Sequence, residues 1–418
     1  MRGRGDPRPG PRRGAPRGAP GSPGRTAGGG GGAPRPFNER VVLQAIRVYG
    51  ALPKAQVARL TRLSSQAASV IIDGLLEDGL VVKQARLRGR VGQPSVPIAL
   101  NPDGAFTIGV RVGRRNLDVL AMDFTGAVRL RESLDYAYPD PEAIFPAIEA
   151  RLAGIFGRLG PRRRRVVGLG VAAPLWMGGW RDFLGAPAGA MDRWEALDVR
   201  ERIQAMTRLP VEFAKDTTAA CAAELVMGSG RGLRNFLYVF VGTFIGGGLV
   251  IDGKLHPGPR GNAGAVGSIP WQDEGERVPR QLLHRASGIL LEQLLAGHGH
   301  PVRAAHDPRA LAPELRELTA RWLDGTGPAL AQTIGAAAAL LDLEAVVVDG
   351  SLDRAVIAEV VGRTEQALDR FSWEGISRPR LVVGAVGADA RAVGAAILPL
   401  YRHFAPVHEL FLMPEAPA

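Results

Sequence analysis

The chain of 418 residues contains one cysteine, Cys221. A single thiol excludes an internal disulfide framework and any metal site built from several cysteines of one chain. The alanines around it point to a buried, inert side chain. Long apolar runs are also missing, since none approaches the ~18 residues that a membrane span requires. The chain is nevertheless 46% hydrophobic and 22% charged, the balance of a globular protein. At roughly 150 residues per domain, two or three domains are expected. The N-terminus carries arginines with no apolar stretch behind them, so it does not read as a secretory signal, and the expected location is cytoplasmic. Acidic residues are scarce in one region. Residues 1–36 hold eight arginines and one aspartate, a balance of +7, and residues 37–100 add +5, which leaves −1 of the formal +11 for everything that follows. The positive excess lies in the first hundred residues. Such clustering is the footprint of a phosphate-binding module whose affinity falls steeply with salt.

Residues 1–36 are almost wholly Gly, Pro, Arg and Ala, without apolar periodicity, and read as a disordered tail. Its arginines either add nonspecific attraction to DNA or form a dispensable leader. Asn38 is expected to cap a helix reaching Tyr49, with Val42, Ala45, Ile46 and Tyr49 as its apolar stripe and Gly50 as its stop. The stretch from Leu52 to Leu80 then reads as a complete helix-turn-helix. Val57 and Leu60 give the first helix an apolar face, the turn runs from Thr61 to Leu63, and Ser64 or Ser65 caps the second helix. In that second helix Ala67, Val70, Ile71 and Leu75 are expected to face the core. Ser65, Gln66, Ala68 and Ser69 are then left outward, small or polar enough to enter a DNA groove. Gly79 is a left-handed stop. Leu80 to Lys83 and Val96 to Leu100 read as strands of a hairpin whose Arg86, Arg88 and Arg90 form a basic wing for phosphate contact. Residues 37–100 are thus expected to be a winged helix-turn-helix that binds double-stranded operator DNA.

Beyond residue 100 strands and helices alternate, as in an α/β fold. Strands are expected at 106–112, 117–123 and 126–130, a helix at 141–159, and a strand at 166–172 after Arg162 to Arg165, which read as a solvated loop. A helix at 193–206, a strand at 211–214, a helix at 217–227 and strands at 236–241 and 247–251 follow. Residues 286–342 read as helical, succeeded by a strand at 345–348, a helix at 355–371, a strand at 380–383 and a helix at 388–404. Trp194 reads as core, and Trp271 can offer a stacking face.

Five segments in order carry a family resemblance: Ile108-Gly-Val-Arg-Val-Gly113, Gly168-Leu-Gly-Val-Ala-Ala-Pro174, the stretch from Val211 to Glu224 around Lys215-Asp216, Val241-Gly-Thr-Phe-Ile-Gly-Gly-Gly248, and Gly261-Asn-Ala-Gly-Ala-Val-Gly267. Together they resemble the ROK family of repressors, open reading frames and sugar kinases. With its winged head the chain is similar to the repressor branch, which includes N-acetylglucosamine and xylose repressors. The resemblance implies a two-lobed, actin-like body, with residues 101–215 plus 388–418 as the first lobe and 216–387 as the second. It also implies what has changed. In the kinases the first hairpin carries an Asp that handles nucleotide phosphates and metal, whereas this chain has Arg111, Arg114 and Arg115 there. Gly242 to Gly248 is either a phosphate-cradling loop or a tight turn between strands, and Phe244 stands where a small residue is usual. Asp216 matches the kinases' general base, which in a repressor can bind the same sugar hydroxyl, and it can equally cap a helix. Lys215 replaces the usual Asn. The family's sugar-binding Glu and His correspond to Ala265 and Ser268, and a later Glu to Leu283. Gln281 matches the last zinc-ligand Cys, so no zinc is expected, and no cofactor.

The resulting expectation is a DNA-binding transcriptional regulator, a repressor of carbohydrate uptake or catabolism genes. It would be a dimer or tetramer controlled by a sugar or related metabolite at Asp216, Thr217, Thr243, Asn262 and Ser268. Two alternatives stay open. One is an ATP-dependent sugar kinase with a DNA-binding head; the other is a DNA-binding dimer whose body senses no ligand.

Overall fold

The computed structural model describes residues 34–85, 96–177, 184, 186–187, 189, 191–272 and 277–406. The N-terminal tail to residue 33 and the wing arginines Arg86, Arg88 and Arg90 lie outside the described residues. The head contains α1 (Phe37–Tyr49), β1 (Leu52–Pro53), α2 (Lys54–Thr61), α3 (Ser65–Glu77), β2 (Val81–Lys83) and β3 (Pro97–Leu100), with the strands ordered β1-β3-β2. Pro36, not Asn38, stands at the start of α1, without a side-chain cap. Arg62 takes a left-handed φ of 56° in the turn between α2 and α3. Ser64 caps α3, its Oγ accepting from the Ala67 amide at 3.2 Å. Gly79 is left-handed at φ 70° and lets the chain leave α3 for β2.

The core face of α3 differs from expectation by one residue. Ala68, Ile72 and Leu75 are fully buried, while Val70 is 67% exposed. Ala68 is therefore not available to DNA. The run Ala67-Ala-Ser-Val-Ile-Ile72 offers apolar residues in two adjacent helical phases that share Leu75. Packing against α1 and α2 buries the phase that carries Ala68 and Ile72.

The body repeats one topology twice. In the first sheet β4 (Phe106–Val112), β5 (Asn116–Asp123), β6 (Val128–Asp135), β7 (Val166–Ala173) and β8 (Val211–Lys215) are ordered β6-β5-β4-β7-β8. In the second, β9 (Phe236–Val241), β10 (Ile245–Ile251), β11 (Lys254–Leu255), β14 (Ala345–Gly350) and β15 (Arg380–Val383) are ordered β11-β10-β9-β14-β15. Each has an antiparallel meander followed by two parallel strands. β12 (Pro270–Trp271) and β13 (Arg280–Gln281) form a small ribbon. The helices are α4 (Pro141–Leu159), α5 (Val199–Gln204), α6 (Asp216–Met227), α7 (Leu283–Ala286), α8 (Gly288–Gly297), α9 (Pro313–Leu341), α10 (Arg354–Leu368) and α11 (Ala390–Phe404). The helix expected over 193–206 is split, because Asp198 begins a new one by accepting the Glu201 amide at 3.0 Å. Trp194 is core, its indole donating to the Pro139 carbonyl at 2.8 Å.

Helices α6 and α11 pack together between the two sheets, α11 lying on β4 and β7 and α6 on β10. The approach is close enough to require glycine. A Cβ at Gly170 would stand 1.8 Å from the Ala395 carbonyl oxygen, and one at Gly394 would stand 1.9 Å from that of Ala219. Cys221 lies fully buried in this layer, where burial pushes its thiol pKa up.

Head and body share a core. Val42, Ile46, Ile72, Leu75 and Ile98 of the head are contiguous with Phe124, Leu400 and Phe404 of the body. Phe124 and Phe404 meet edge to face with centroids 4.7 Å apart. Arg162 to Arg165 are solvent-exposed as expected, but on a 3₁₀ turn, and Arg165 ties body to head by donating to the Asp78 carbonyl at 2.7 Å. Among the described residues no helix is long and apolar enough to cross a membrane.

Candidate functional site

The outward surface of α3 begins with Ser65 and Gln66, both exposed. Ser69 is half-buried and engaged. It accepts from the Lys54 ammonium at 3.0 Å and donates to Asp73 at 3.2 Å, while Lys54 and Asp73 pair at 2.6 Å. The Lys54 hydrogen bond holds the Asp73 carboxyl below its ordinary pKa. Val70, missed because its type suggests core, joins Ser65 and Gln66 on the exposed face. Its methyls are suited to contact with a thymine methyl.

A second site lies between the lobes. Asp216, Thr217, Thr243, Asn262 and Ser268, drawn from four separate segments, line one cleft of about 120 Å³ together with Ala265 and Leu283. Asp216 opens α6, and its Oδ1 accepts from the Thr217 amide at 2.8 Å, so it serves the helix start as well as facing the cleft. Thr217 donates its hydroxyl to the Gly247 carbonyl at 2.8 Å and ties α6 to β10. Asn262 accepts from Lys215 at 3.4 Å, and Ser268 is exposed at the rim.

Cations dominate the cleft. Arg111 on β4 pairs with Asp118 on β5 at 2.9 Å, and Ser133 donates to the other Asp118 oxygen at 2.6 Å. Arg114 donates to the carbonyls of Met177 and Trp176 at 3.0 and 3.1 Å and lies 4.9 Å over the Phe244 ring. Lys215 donates to the Ala263 carbonyl at 3.0 Å. Arg391, in the first turn of α11, is 3.5 Å from Asp216 and 4.5 Å over the Phe240 ring. Burial pushes the pKa of Lys215 down to about 8 and those of Arg114 and Arg391 down to about 10, with Asp216 opposing each shift. These side chains stay cationic at neutral pH while partly desolvated, a state that favours an anion beside them.

Beside the cleft, Arg115 crosses from the β4–β5 turn to the other lobe. Its guanidinium holds both oxygens of Glu292 on α8, at 2.7 and 2.8 Å, and donates to Thr243 at 3.1 Å. His306 approaches the same carboxylate at 2.8 Å. Burial works to raise the Glu292 pKa, but His306 and Arg115 together hold it below its ordinary value. The Glu292 hydrogen bond raises that of His306. Sequence order gave no sign of this clamp, because nothing in the pattern around Glu292 or His306 marks either as a partner of Arg115. Among the described residues no cluster of three or more His, Cys, Asp or Glu side chains is placed to hold a metal.

Two copies of one five-stranded topology facing each other across a cleft, with a helix-turn-helix head on one side, define an actin-like, two-lobed α/β body joined to a helix-turn-helix domain. The chain belongs to the ROK family, whose model matches residues 107–401. It is 25% identical to the uncharacterized protein y4fQ of Sinorhizobium fredii over 88% of this chain and 92% of that one. It is 24% identical to the xylose repressor of Caldicellulosiruptor bescii, over 57% of this chain and 60% of the repressor. Among solved structures, a ROK family transcriptional regulator described as a homolog of the E. coli MLC protein shares its fold, with a TM-score of 0.64 and 20% identity over 88% of this chain and 97% of that one.

Proposed function

We propose that this protein is a cytoplasmic, DNA-binding transcriptional repressor of carbohydrate uptake or catabolism genes, acting as a homo-oligomer and controlled by a sugar or related metabolite in the interlobe cleft. The observation that carries the reading is a single helix. α11 begins at the cleft with Arg391 and ends in the core shared with the head at Leu400 and Phe404, roughly 20 Å away. A ligand that shifts the lobes against each other moves this helix, and with it the packing beneath the head. In a dimer the two heads would then no longer match half-sites one helical turn, about 34 Å, or a multiple of it apart. The relatives named repressor and transcriptional regulator support the assignment of DNA as partner.

The body is assigned a non-catalytic role. Arg111 and Arg114 occupy the hairpin that carries the phosphate-site Asp in the family's kinases, and Arg115 bridges that hairpin to Glu292. Asp216 alone keeps a kinase-like identity, which is not enough for phosphoryl transfer without a group to organise the metal. Titrating the full chain and its operator with candidate sugars tests the coupling: the effector should weaken operator binding at least tenfold. A ligand that binds with no change in operator affinity would refute it. Sugar-dependent consumption of ATP with Mg²⁺ would overturn the non-catalytic assignment.

A further inference from the structure

A groove of about 760 Å³ lies where the head meets both lobes, and none of its lining residues lines the interlobe cleft. Its size is that of a small-molecule site, roughly 300–1,000 Å³, and such sites favour domain junctions. Helix α1 of the head lines it through Val41 and Val48, α11 through Leu400 and Tyr401, and the end of α6 through Val226 and Met227. Part of that apolar surface is uncovered. Met227 and Tyr401 are 41% and 40% exposed, two large side chains left open on one groove. Lobe II adds charge, since Arg231 and Lys254 line the same groove and are both exposed. Their segments are fastened together: the Gly253 amide donates to the Arg234 carbonyl at 2.7 Å, and Arg234 pairs with Asp252 at 3.4 Å. Asp252 is the one carboxylate among the described lining residues, and Arg234 engages it. Arg47 also lines the groove, 5.1 Å over the Phe124 ring, where the buried Asp123 opposes its charge. Arg231 and Lys254 are thus left without an ion pair among the described residues.

We infer that this groove binds a small apolar carboxylate, its hydrocarbon body against Val48, Met227 and Tyr401 and its carboxylate at Arg231 and Lys254. The Arg231 guanidinium offers a carboxylate two parallel donors, and the Lys254 ammonium adds a point charge. Burial of the hydrocarbon supplies most of the affinity, and the cations select an acid over its neutral amide. A sugar, hydroxylated on every face, gains little from apolar walls. Because the lining comes from α1, α11 and lobe II, the occupant touches the head and both lobes at once and opposes their relative movement. This site goes beyond the effector reading of the interlobe cleft, and neither depends on the other.

The test is calorimetric titration of the full-length protein with octanoate, octanamide, octyl phosphate and acetate. Octanoate should bind at least fivefold more tightly than octanamide, acetate should not bind, and raised salt should bring octanoate toward octanamide. A double variant, Arg231→Gln with Lys254→Gln, alters two exposed side chains and should erase the difference between acid and amide. Met227→Asp should weaken both ligands at least tenfold, with circular dichroism to verify that each variant is folded. Absence of octanoate binding, equal binding of octanamide, tighter binding of octyl phosphate, or an octanoate affinity unchanged in both folded variants would overturn the inference. Two other occupants are tested in the same samples. Octanoate binding that appears only after residues 407–418 are removed gives the groove to that segment, and octanoate binding that splits an oligomer, seen by sedimentation, gives it to a second copy; either result also overturns the inference.

Discussion

Replacing Arg115 by alanine opens the contact that closes the two lobes on each other. The Glu292 side chain is only 3% exposed and is held by Arg115 at 2.7 Å, while Arg115 itself is 31% exposed. Removing one partner of a fully buried ion pair costs about 3–5 kcal/mol. Partial exposure of Arg115 and the surviving His306 contact reduce that figure, and a coupling of about 2 kcal/mol is expected. A double-mutant cycle of Arg115→Ala and Glu292→Gln, followed by urea unfolding, measures it directly. The coupling should be weakly sensitive to salt, because its anion is buried. Its pH dependence has a defined sign. His306 is raised above 6.5, so the stability it contributes is complete below 6.5 and is lost as pH rises through its folded-state value. Glu292 is lowered below 4.5, so its contribution is present above 4.5 and is lost as pH falls through its folded-state value. Stability from the triad is thus greatest between about 4.5 and 6.5, and Glu292→Gln should flatten that window. A coupling below about 0.5 kcal/mol, the size of an exposed pair, would refute the reasoning.

The inverted phase of α3 predicts opposite results at two neighbouring positions. Ala68→Leu should destabilise the head by about 1–3 kcal/mol through overpacking, whereas Val70→Ala should leave thermal stability almost unchanged and alter operator preference in a binding-site selection. Phe404→Ala removes the ring that meets Phe124, and should lower stability by about 3 kcal/mol and reduce the response of operator binding to ligand. If the response is intact in a folded variant, α11 is not the route. Arg88→Ala, between β2 and β3 in the sequence, should weaken binding to all DNA sequences about equally and reduce the salt slope by about one unit, read from affinities at several salt concentrations. An unchanged slope would remove Arg88 from the phosphate contacts.

Much of the body could be read from its residues. The continuous apolar run Phe236 to Val241 announces a strand buried on both faces, and Phe106 to Val112, apolar at every other position, reads as a strand as well; both fall where expected. The serine pair Ser64 and Ser65, of which Ser64 proves to be the cap, and Gly79 marked the ends of α3 through their capping chemistry. Periodicity failed where apolar residues were too dense to fix a phase, which is why Ala68 and Val70 exchanged faces. It also could not foresee the split at Asp198, since a cap inside a plausible helix is visible only once its side chain turns back to Glu201. The five cleft residues were found through motif resemblance, and the fold brings them together. The charge of that cleft was not legible. Arg391 lies 280 positions from Arg111 and approaches it only because α11 returns to pack on β4. Each arginine alone is an ordinary residue of an Arg-rich chain, and the two become a feature when burial leaves both with idle donors.

The central claim is that the exposed start of α3 reads a DNA sequence. Selection of duplex DNA from a random pool by the full-length chain, repeated with Gln66→Ala, tests it most directly. The account predicts that one sequence is enriched, with two related half-sites spaced by about one helical turn or a multiple of it, and that the variant, equally stable, loses or changes the preference within each half-site. Enrichment of no sequence, or an unaltered preference in the variant together with one substituted at Ser65 and Val70, would contradict it.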